Sequence, residues 1–283
     1  MIITNLMKRK FHGIDLKIQG RLYSGCQILV MLIFLMSSCA IRPYAGLSGK
    51  TSTKLELTEI HAGILPGYLD VEALPNSLEL LPPPPFEGST EWVLDQGKAD
   101  YFVNKVSEER RAQAISDVDL SFPGALQAFN GVLPLTLTEE TTPNTIMILR
   151  RTLSDAGLST YRAKNHYQRP LPFMVNDTPV FSPEDEEKLR GDGSYPSGNT
   201  AIGWAWALIL TGLFTDQADA ILQRGKEFGI SRNICNVHWH SDVVAGRTMG
   251  AATVARMHAD NQFLIDMKAA KKEINALRGG LEK

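Results

Sequence analysis

The chain has 283 residues and a formal net charge of −2, with 43% apolar and 21% charged residues. This length allows one sizeable domain, or two small domains and a tail. The composition is that of a globular protein, and the charge gives no electrostatic reason to expect a nucleic-acid partner.

The N-terminal residues have the pattern of an export signal. Five basic residues precede an apolar run at 28–36, which is too short to span a membrane. Small residues then lead to Cys39, an arrangement that resembles a bacterial lipoprotein cleavage site. The resemblance implies a signal peptide at 1–38 and lipidation of Cys39. We therefore expect a lipoprotein tethered to a membrane in the periplasm of a Gram-negative bacterium, with an ordinary cleaved signal and an uncleaved anchor as alternatives.

Removal of residues 1–38 changes both the charge and the cysteine content. It takes away five basic residues and one acid, which leaves 24 Lys+Arg against 30 Asp+Glu and a net charge of −6. Cys39 and Cys235 remain, and lipidation of Cys39 leaves Cys235 without a disulfide partner. We therefore expect a hydrophobic core as the source of stability, with Cys235 as a small buried apolar residue.

Most of the remaining chain has helical patterns. Residues 39–77 are weakly periodic, which indicates a tether with some packed segments. Prolines 82–85 predict an extended, stiff stretch at 78–89. No strand is predicted, so the expected fold class is all-α, a single-domain helical bundle at 78–260 with a charged C-terminal helix at 261–283. Apolar spacing and end signals place helices at 92–106, 108–117, 142–158, 200–213, 215–228, 242–257 and from about 261.

Two clusters contain the hydrogen-bond donors that an anion needs. Lys164 and Arg169 supply cations in a segment that the prolines at 170 and 172 should make extended. The sequence Pro-Ser-Gly-Asn at 196–199 opens the apolar helix at 200–213. Because a helix start presents backbone N–H groups to an anion, the two clusters together predict a site for phosphate oxygens.

Two further clusters provide another cation and a nucleophile. Ser231 and Arg232 end an Ile/Gly stretch, and His238 is followed four residues later by Asp242. On a helix, that spacing lets the carboxylate accept a hydrogen bond from one imidazole nitrogen and leaves the other free to attack. A carboxylate-oriented histidine beside a bound phosphate predicts nucleophilic attack on phosphorus.

The order of these motifs resembles the signature of the PAP2 superfamily, which runs Lys-x6-Arg-Pro, Pro-Ser-Gly-His, Ser-Arg-x5-His-x3-Asp. The sequence from 78 to 259, including LPPPP and GSYPSG, looks like its bacterial class A non-specific acid phosphatases. The resemblance implies an all-α enzyme that hydrolyses small-molecule phosphomonoesters through a phosphohistidine at His238, oriented by Asp242. It also implies phosphate binding by Lys164, Ser197, Gly198 and Arg232.

The same resemblance implies no cofactor, no metal and no nucleic-acid partner. It leaves a homo-oligomer open, and the expected contact with a membrane is through the lipid anchor alone.

Two positions depart from the family pattern. The spacing from Lys164 puts the motif arginine at Leu171, which cannot form the planar fork of a guanidinium. Arg169, two residues earlier, lies on the same side of an extended segment and is the hypothetical phosphate-binding substitute. In a second register Arg169 is the motif arginine, and Arg162 replaces the lysine. Asn199 stands where the family has the histidine that protonates the leaving alkoxide.

Asn199 therefore predicts an impaired catalytic site. An asparagine keeps a hydrogen-bond donor but has no proton to give, and general acid catalysis is typically worth about 10²–10⁴ in rate. We expect a large loss on alkyl phosphates and a mild loss on aryl phosphates, whose leaving groups are stable anions. The main alternative is a non-catalytic phosphate-ester-binding protein on the same fold. A vanadium haloperoxidase would use similar residues, and a lipid-phosphate phosphatase would share the chemistry but usually sits among membrane-spanning helices.

The run from His238 to Asp242 also spells His-x-His-x-Asp, a motif of zinc-binding hydrolases. Val243 occupies the place of that motif's next histidine, and few other histidines remain as ligands. We therefore expect no metal site, with His240 as a packing or specificity residue.

Overall fold

The computed structural model describes residues 47–122, 124–176, 178–181 and 183–281. Over these residues it contains α-helices and short 3-10 turns, with an isolated bridge between His61 and Ile64 and no strand. This confirms the all-α fold class. The predicted signal peptide and Cys39 lie outside the described residues.

The helices follow the predicted order, with shifted ends. The helix Ala218–Ile234 begins after a 3-10 turn at Thr215–Gln217 and continues six residues beyond the predicted end at residue 228. Ser231 and Arg232 therefore lie on this helix. In chain order the described α-helices are α1 (Ser77–Leu80), α2 (Thr90–Asn104), α3 (Glu108–Ser116), α4 (Gly124–Asn130), α5 (Pro143–Leu158), α6 (Tyr161–Tyr167), α7 (Pro183–Arg190), α8 (Gly198–Leu213), α9 (Ala218–Ile234), α10 (His240–Met257) and α11 (Asn261–Leu281).

The short helices α1, α4, α6 and α7 correct the sequence interpretation. Helix α1 occupies the start of the stretch predicted to be extended, because the Asn76 side chain caps it by accepting a hydrogen bond from Leu78 N at 3.1 Å. Lys164 lies on helix α6 rather than in an extended segment. A proline restricts the residue directly before it, so Pro170 does not prevent α6 from forming. The helix ends at Gln168, whose backbone is left-handed with φ 43°.

The apolar helix α8 is the centre of the bundle, as a helix that is apolar on all sides requires. Helices α5, α9 and α10 pack around it. Trp206 of α8 is buried, and its Nε1 donates a hydrogen bond to Leu149 O of α5 at 2.9 Å. The first turns of α8 and α10 lie side by side, because Ser197 N donates to Asp242 O at 3.0 Å. This contact brings the Pro-Ser-Gly-Asn segment at 196–199 next to Asp242.

The described part of the predicted tether packs against the bundle through two buried carboxylates. Asp266 of α11 accepts hydrogen bonds from Ser52 N and Tyr68 Oη, both at 2.8 Å. Asp155 of α5 accepts from Tyr68 N at 2.7 Å and from Leu69 N at 3.1 Å. Residues 52–69 therefore pack against α5 and α11.

The proline stretch at 82–85 packs beside α10. Pro82 O accepts a hydrogen bond from Tyr195 Oη at 2.8 Å, and a cavity of about 700 Å³ separates the stretch from Val244 and Ala245. Cys235 is buried, as predicted, with its Sγ 3.4 Å from Ala114 O. Among the residues that the structure describes, no helix combines the length and apolar character that a membrane span requires.

Candidate active site

His238 and Asp242 lie at the N-terminus of α10, and both side chains are buried. Trp239 N donates a hydrogen bond to Asp242 Oδ2 at 2.8 Å, and Asn233 Nδ2 donates to His238 O at 2.8 Å. These contacts hold the two residues in place. His238 Nδ1 lies 3.5 Å from Asp242 Oδ2, which is longer than an ordinary hydrogen bond. The carboxylate therefore faces Nδ1, although His238 lies two residues before α10 begins and not on a helix as expected, and Nε2 lies on the opposite edge of the ring.

Ser194 is a partner of this pair that the sequence analysis missed. Its Oγ donates a hydrogen bond to Asp242 Oδ2 at 2.5 Å and lies 3.4 Å from His238 Nδ1. Its backbone N donates to Arg169 O at 2.8 Å, which fixes the loop before α8. Ser194 lies in the GSYPSG segment that carries the family resemblance, but outside the three spaced motifs, so its contact with Asp242 was not predicted.

Arg169 holds the other oxygen of Asp242. Its Nη1 donates to Asp242 Oδ1 at 2.6 Å and to Ser241 Oγ at 2.8 Å, and its Nη2 donates to Asp95 Oδ2 at 2.8 Å. We expected Arg169 to bind phosphate in place of the missing motif arginine. The geometry instead favours a role in positioning Asp242, because both terminal nitrogens are committed to carboxylates and a hydroxyl.

Arg162, Lys164 and Leu171 differ in burial. Their positions bear on which residue aligns with the lysine of the family motif, Lys164 or Arg162. Lys164 is 4% exposed, whereas Arg162 lies at the surface with Glu72 Oε2 3.0 Å away. Leu171 is 1% exposed in an apolar cluster with Phe173 and other residues. Lys164 is therefore the buried cation of this segment, whereas Arg162 is at the surface and Leu171 packs in the apolar interior.

Lys164 lies next to the start of α8. A β-carbon at Gly198 would lie 3.9 Å from Lys164 Cε. The Lys164 Nζ donates to Asp192 Oδ2 at 2.9 Å and to Gly193 O at 2.5 Å. The ammonium group is thus buried and held by the loop that leads into α8.

Ser197 is the N-cap residue of α8. Its Oγ accepts hydrogen bonds from Thr200 N at 3.3 Å and Thr200 Oγ1 at 2.9 Å. Gly198 and Asn199 form the first turn and are partly exposed. The first N–H groups of a helix have no acceptor within the helix, so this turn can offer them to an anion.

Arg232 lies on α9 and is 3% exposed. The neighbouring Ser231 Oγ donates to Asp117 Oδ2 at 2.6 Å and accepts from Arg110 Nη2 at 3.0 Å. These contacts fix this turn of α9 against the N-terminal helices. The charge of Arg232 acts on His238, as the pKa of that histidine shows.

The pKa of His238 is lowered to about 4, chiefly by burial and also by the charges of Lys164 and Arg232, against the opposing effect of Asp242. The imidazole is therefore neutral above pH 4 and keeps the lone pair that a nucleophile needs. Burial alone would raise the pKa of Asp242, but the adjacent His238, the charge of Arg169 and the hydrogen bond from Ser194 hold it below its usual value. Asp242 is thus an anion facing a neutral imidazole.

Within the residues that the structure describes, no group of three or more His, Cys, Asp or Glu side chains is placed to hold a metal ion. His240 lines the cavity beside the proline stretch together with Asp95 and Ser241, and burial lowers its pKa.

Comparisons with known proteins agree with this arrangement. The profile of the PAP2 superfamily matches residues 145–265. The chain is 38% identical over 232 residues to a non-specific acid phosphatase of Providencia stuartii, covering 78% of this chain and 94% of the relative. It is 38% identical to an acid phosphatase of Zymomonas mobilis over 70% of this chain and 75% of the relative. It is 37% identical to a non-specific acid phosphatase of Salmonella typhimurium over 71% of this chain and 80% of the relative. By its sequence and its all-α fold, the chain belongs to the PAP2 superfamily.

Proposed function

We propose that this protein hydrolyses phosphomonoesters through a phosphohistidine at His238. The observation that carries the proposal is a buried, neutral His238 whose Nδ1 faces Asp242, with the Lys164 side chain against the first turn of α8. The names of the relatives, all acid phosphatases, support the same reaction class.

In the proposed first step, the cations and the α8 N–H groups hold the phosphate oxygens. The lone pair of His238 Nε2 forms a bond to phosphorus while the ester P–O bond breaks, and the leaving oxygen takes the electron pair. The positive charge that develops on the ring is stabilised by Asp242. In the second step water attacks phosphorus, the N–P bond breaks, and the proton lost by water passes to solvent.

Asn199 limits the first step in this proposal. It lies in the first turn of α8 beside the phosphate-binding groups and has no proton to give to the leaving oxygen. An alkoxide must therefore take its proton from water, whereas a phenolate leaves as a stable anion. We infer reduced activity, greatest on aryl phosphates.

The test measures hydrolysis of 4-nitrophenyl phosphate and glycerol 3-phosphate by residues 47–283, with His238→Ala as the blank. We expect aryl turnover well above the blank and little turnover of the alkyl ester. Incubation with ³²P-labelled substrate should leave label on the protein that survives alkali and is lost in acid, as a phosphoramidate does. Equal rates for wild type and His238→Ala would contradict the proposal.

Asn199 and Leu171 favour a second candidate, a protein that binds phosphate esters without turning them over. Both positions lack the side chain that the family uses, one for proton donation and one for phosphate binding. The same assay separates the two candidates. Phosphate binding by the wild type, without hydrolysis of either ester and without labelled protein, would support the binding function.

We also infer from the sequence that Cys39 is lipidated and tethers the domain in the periplasm. The supporting feature is the apolar run at 28–36 followed by small residues and the cysteine. Expression of the full chain with an alkyne-modified fatty acid should label the wild type and Cys235→Ser, but not Cys39→Ser. Label that persists in Cys39→Ser would exclude this anchor.

A further inference from the structure

Asp95 of α2 is buried against the active-site pair, although it lies outside every motif of the sequence. It is 1% exposed and accepts three hydrogen bonds. Arg169 Nη2 donates to Asp95 Oδ2 at 2.8 Å, Ser241 Oγ donates to the same oxygen at 2.6 Å, and Ser241 N donates to Oδ1 at 2.8 Å. A carboxylate with three donors in a buried site is fixed in position.

Asp95, Arg169 and Ser241 form a ring of hydrogen bonds that is joined to Asp242 through Arg169. Arg169 Nη1 donates both to Ser241 Oγ and to Asp242 Oδ1, while its Nη2 donates to Asp95. Arg169 is thus shared between two buried carboxylates. Asp95 fixes both neighbours of Asp242, one by an ion pair and one by two hydrogen bonds.

We propose that Asp95 is a positioning residue whose negative charge offsets Arg169, so that Asp242 keeps its ability to stabilise positive charge on His238. This inference rests on the proposed function. Asp95, Arg169 and Asp242 together carry one negative charge. Without the charge of Asp95, Arg169 would neutralise Asp242, and the imidazolium formed on phosphoryl transfer would face no net counter-charge.

The other charges around His238 make this offset necessary. Lys164 on α6 and Arg232 on α9 both disfavour a positive imidazole. Burial and the charges of Lys98 of α2 and Arg247 of α10 lower the pKa of His240, whereas the charge of Asp95 raises it. The charged and titratable groups around His238 and Asp242 are Lys164 with Asp192, Arg169, Tyr195, Arg232, His240 and Asp95.

The test compares Asp95→Asn with Asp100→Asn, a change on the exposed side of the same helix. Orthovanadate, which forms a trigonal-bipyramidal analogue of the transition state, and inorganic phosphate are the two ligands measured. We expect Asp95→Asn to weaken vanadate binding and slow phosphorylation by 4-nitrophenyl phosphate, each about tenfold, the effect of one pKa unit. Phosphate binding should change little, and Asp100→Asn should match the wild type in all three.

The pH dependence of kcat/KM distinguishes the proposed electrostatic role of Asp95 from a purely structural role. Asp95→Asn should shift the acidic limb of kcat/KM to lower pH, because it destabilises the protonated His238. Arg169→Gln should shift that limb to higher pH, because it removes a cation. The double variant Asp95→Asn/Arg169→Gln restores the single negative charge and should recover phosphorylation relative to Asp95→Asn.

The outcomes separate this inference from the proposed function. A wild type that binds neither phosphate nor vanadate would overturn the proposed function, and the inference with it. A functional wild type whose Asp95→Asn variant weakens phosphate and vanadate equally, or weakens neither, would overturn the inference alone. If Asp95→Asn does not fold, the double variant Asp95→Asn/Arg169→Gln decides, because it keeps the single negative charge: phosphorylation near the wild-type rate supports the inference, and a roughly tenfold or greater loss overturns it.

Discussion

Gly246 of α10 faces the carbonyl oxygen of Ser197, and a β-carbon at Gly246 would lie 2.5 Å from that oxygen. The close approach of the two helices is what places the N-cap of α8 beside Asp242, where Ser197 N donates to Asp242 O at 3.0 Å. Gly246, which is not a proposed phosphate ligand, therefore sets the distance between the first turn of α8 and the proposed nucleophile His238.

Gly246→Ala should destabilise the protein and weaken phosphate binding. Overpacking of a tight helix contact typically costs about 1–3 kcal/mol. Denaturant unfolding and the inhibition constant for phosphate are the measurements. Gly97→Ala in α2 is the control, because a β-carbon there meets nothing within 4 Å. That change should stabilise the protein by about 0.5–1 kcal/mol. Equal stability of the two variants would contradict the packing argument.

Asn199→His should raise kcat on glycerol 3-phosphate by about 10²-fold or more and change 4-nitrophenyl phosphate hydrolysis much less. The reason is that a histidine in the first turn of α8 can protonate an alkoxide, which a phenolate leaving group does not need. Steady-state kinetics on both esters measure the effect.

Asn199→Gln is the matched control, since it changes the side chain without supplying an acid, and it should give no gain. The family resemblance also predicts a gain on alkyl phosphates for the double variant Asn199→His/Leu171→Arg. Because Leu171 is 1% exposed in an apolar cluster, that change introduces a buried charge, and the single variant is the cleaner test. A similar gain on both esters would exclude the general-acid explanation.

Asp192→Asn should tighten phosphate binding. Asp192 Oδ2 lies 2.9 Å from Lys164 Nζ and competes with phosphate for that cation. A partly exposed ion pair is worth up to about 1 kcal/mol, so the inhibition constant should fall by up to roughly fivefold. Lys164→Met should raise the same constant, and Asp219→Asn, at an exposed position of α9, should leave it unchanged. Weaker phosphate binding in Asp192→Asn would show that the carboxylate positions Lys164 instead of competing.

The sequence predicted the parts of this site that depend on local spacing. His238 and Asp242 are four residues apart, and Ser197 and Gly198 begin an apolar helix, so short-range geometry places each pair. The helices were predicted for the same reason, because a 3.6-residue period is a local property.

The contacts that hold the pair could not be predicted in this way. Asp95 lies 74 residues before Arg169 and 146 before Ser241, and these distances along the chain are bridged by tertiary packing of α2 against α10. The side chain of Arg169 was expected to lie beside that of Leu171. The helical turn after Pro170 and the apolar cluster around Leu171 place the two side chains in different surroundings instead.

The buried His238 should also make stability depend on pH. Burial lowers its pKa to about 4, against 6.5 for an exposed histidine. As the pH falls from 6.5 to 4, the unfolded chain gains a proton at this residue that the folded protein does not bind, so the folded state loses stability. The linkage amounts to about 3 kcal/mol over that window. The free energy of unfolding of the wild type should therefore fall by this amount relative to His238→Asn.

Urea unfolding of both proteins at intervals from pH 4 to 8 measures this difference. Above pH 6.5 the two curves should run parallel, because His238 is then neutral in both the folded and the unfolded chain, and this range serves as the internal control. Between pH 6.5 and 4 they should converge or cross, with the variant losing less stability than the wild type. Parallel curves over the whole range would mean that His238 titrates alike in both states. The folded site would then not hold the imidazole neutral, and the nucleophile would lose its lone pair at the same pH as an exposed histidine.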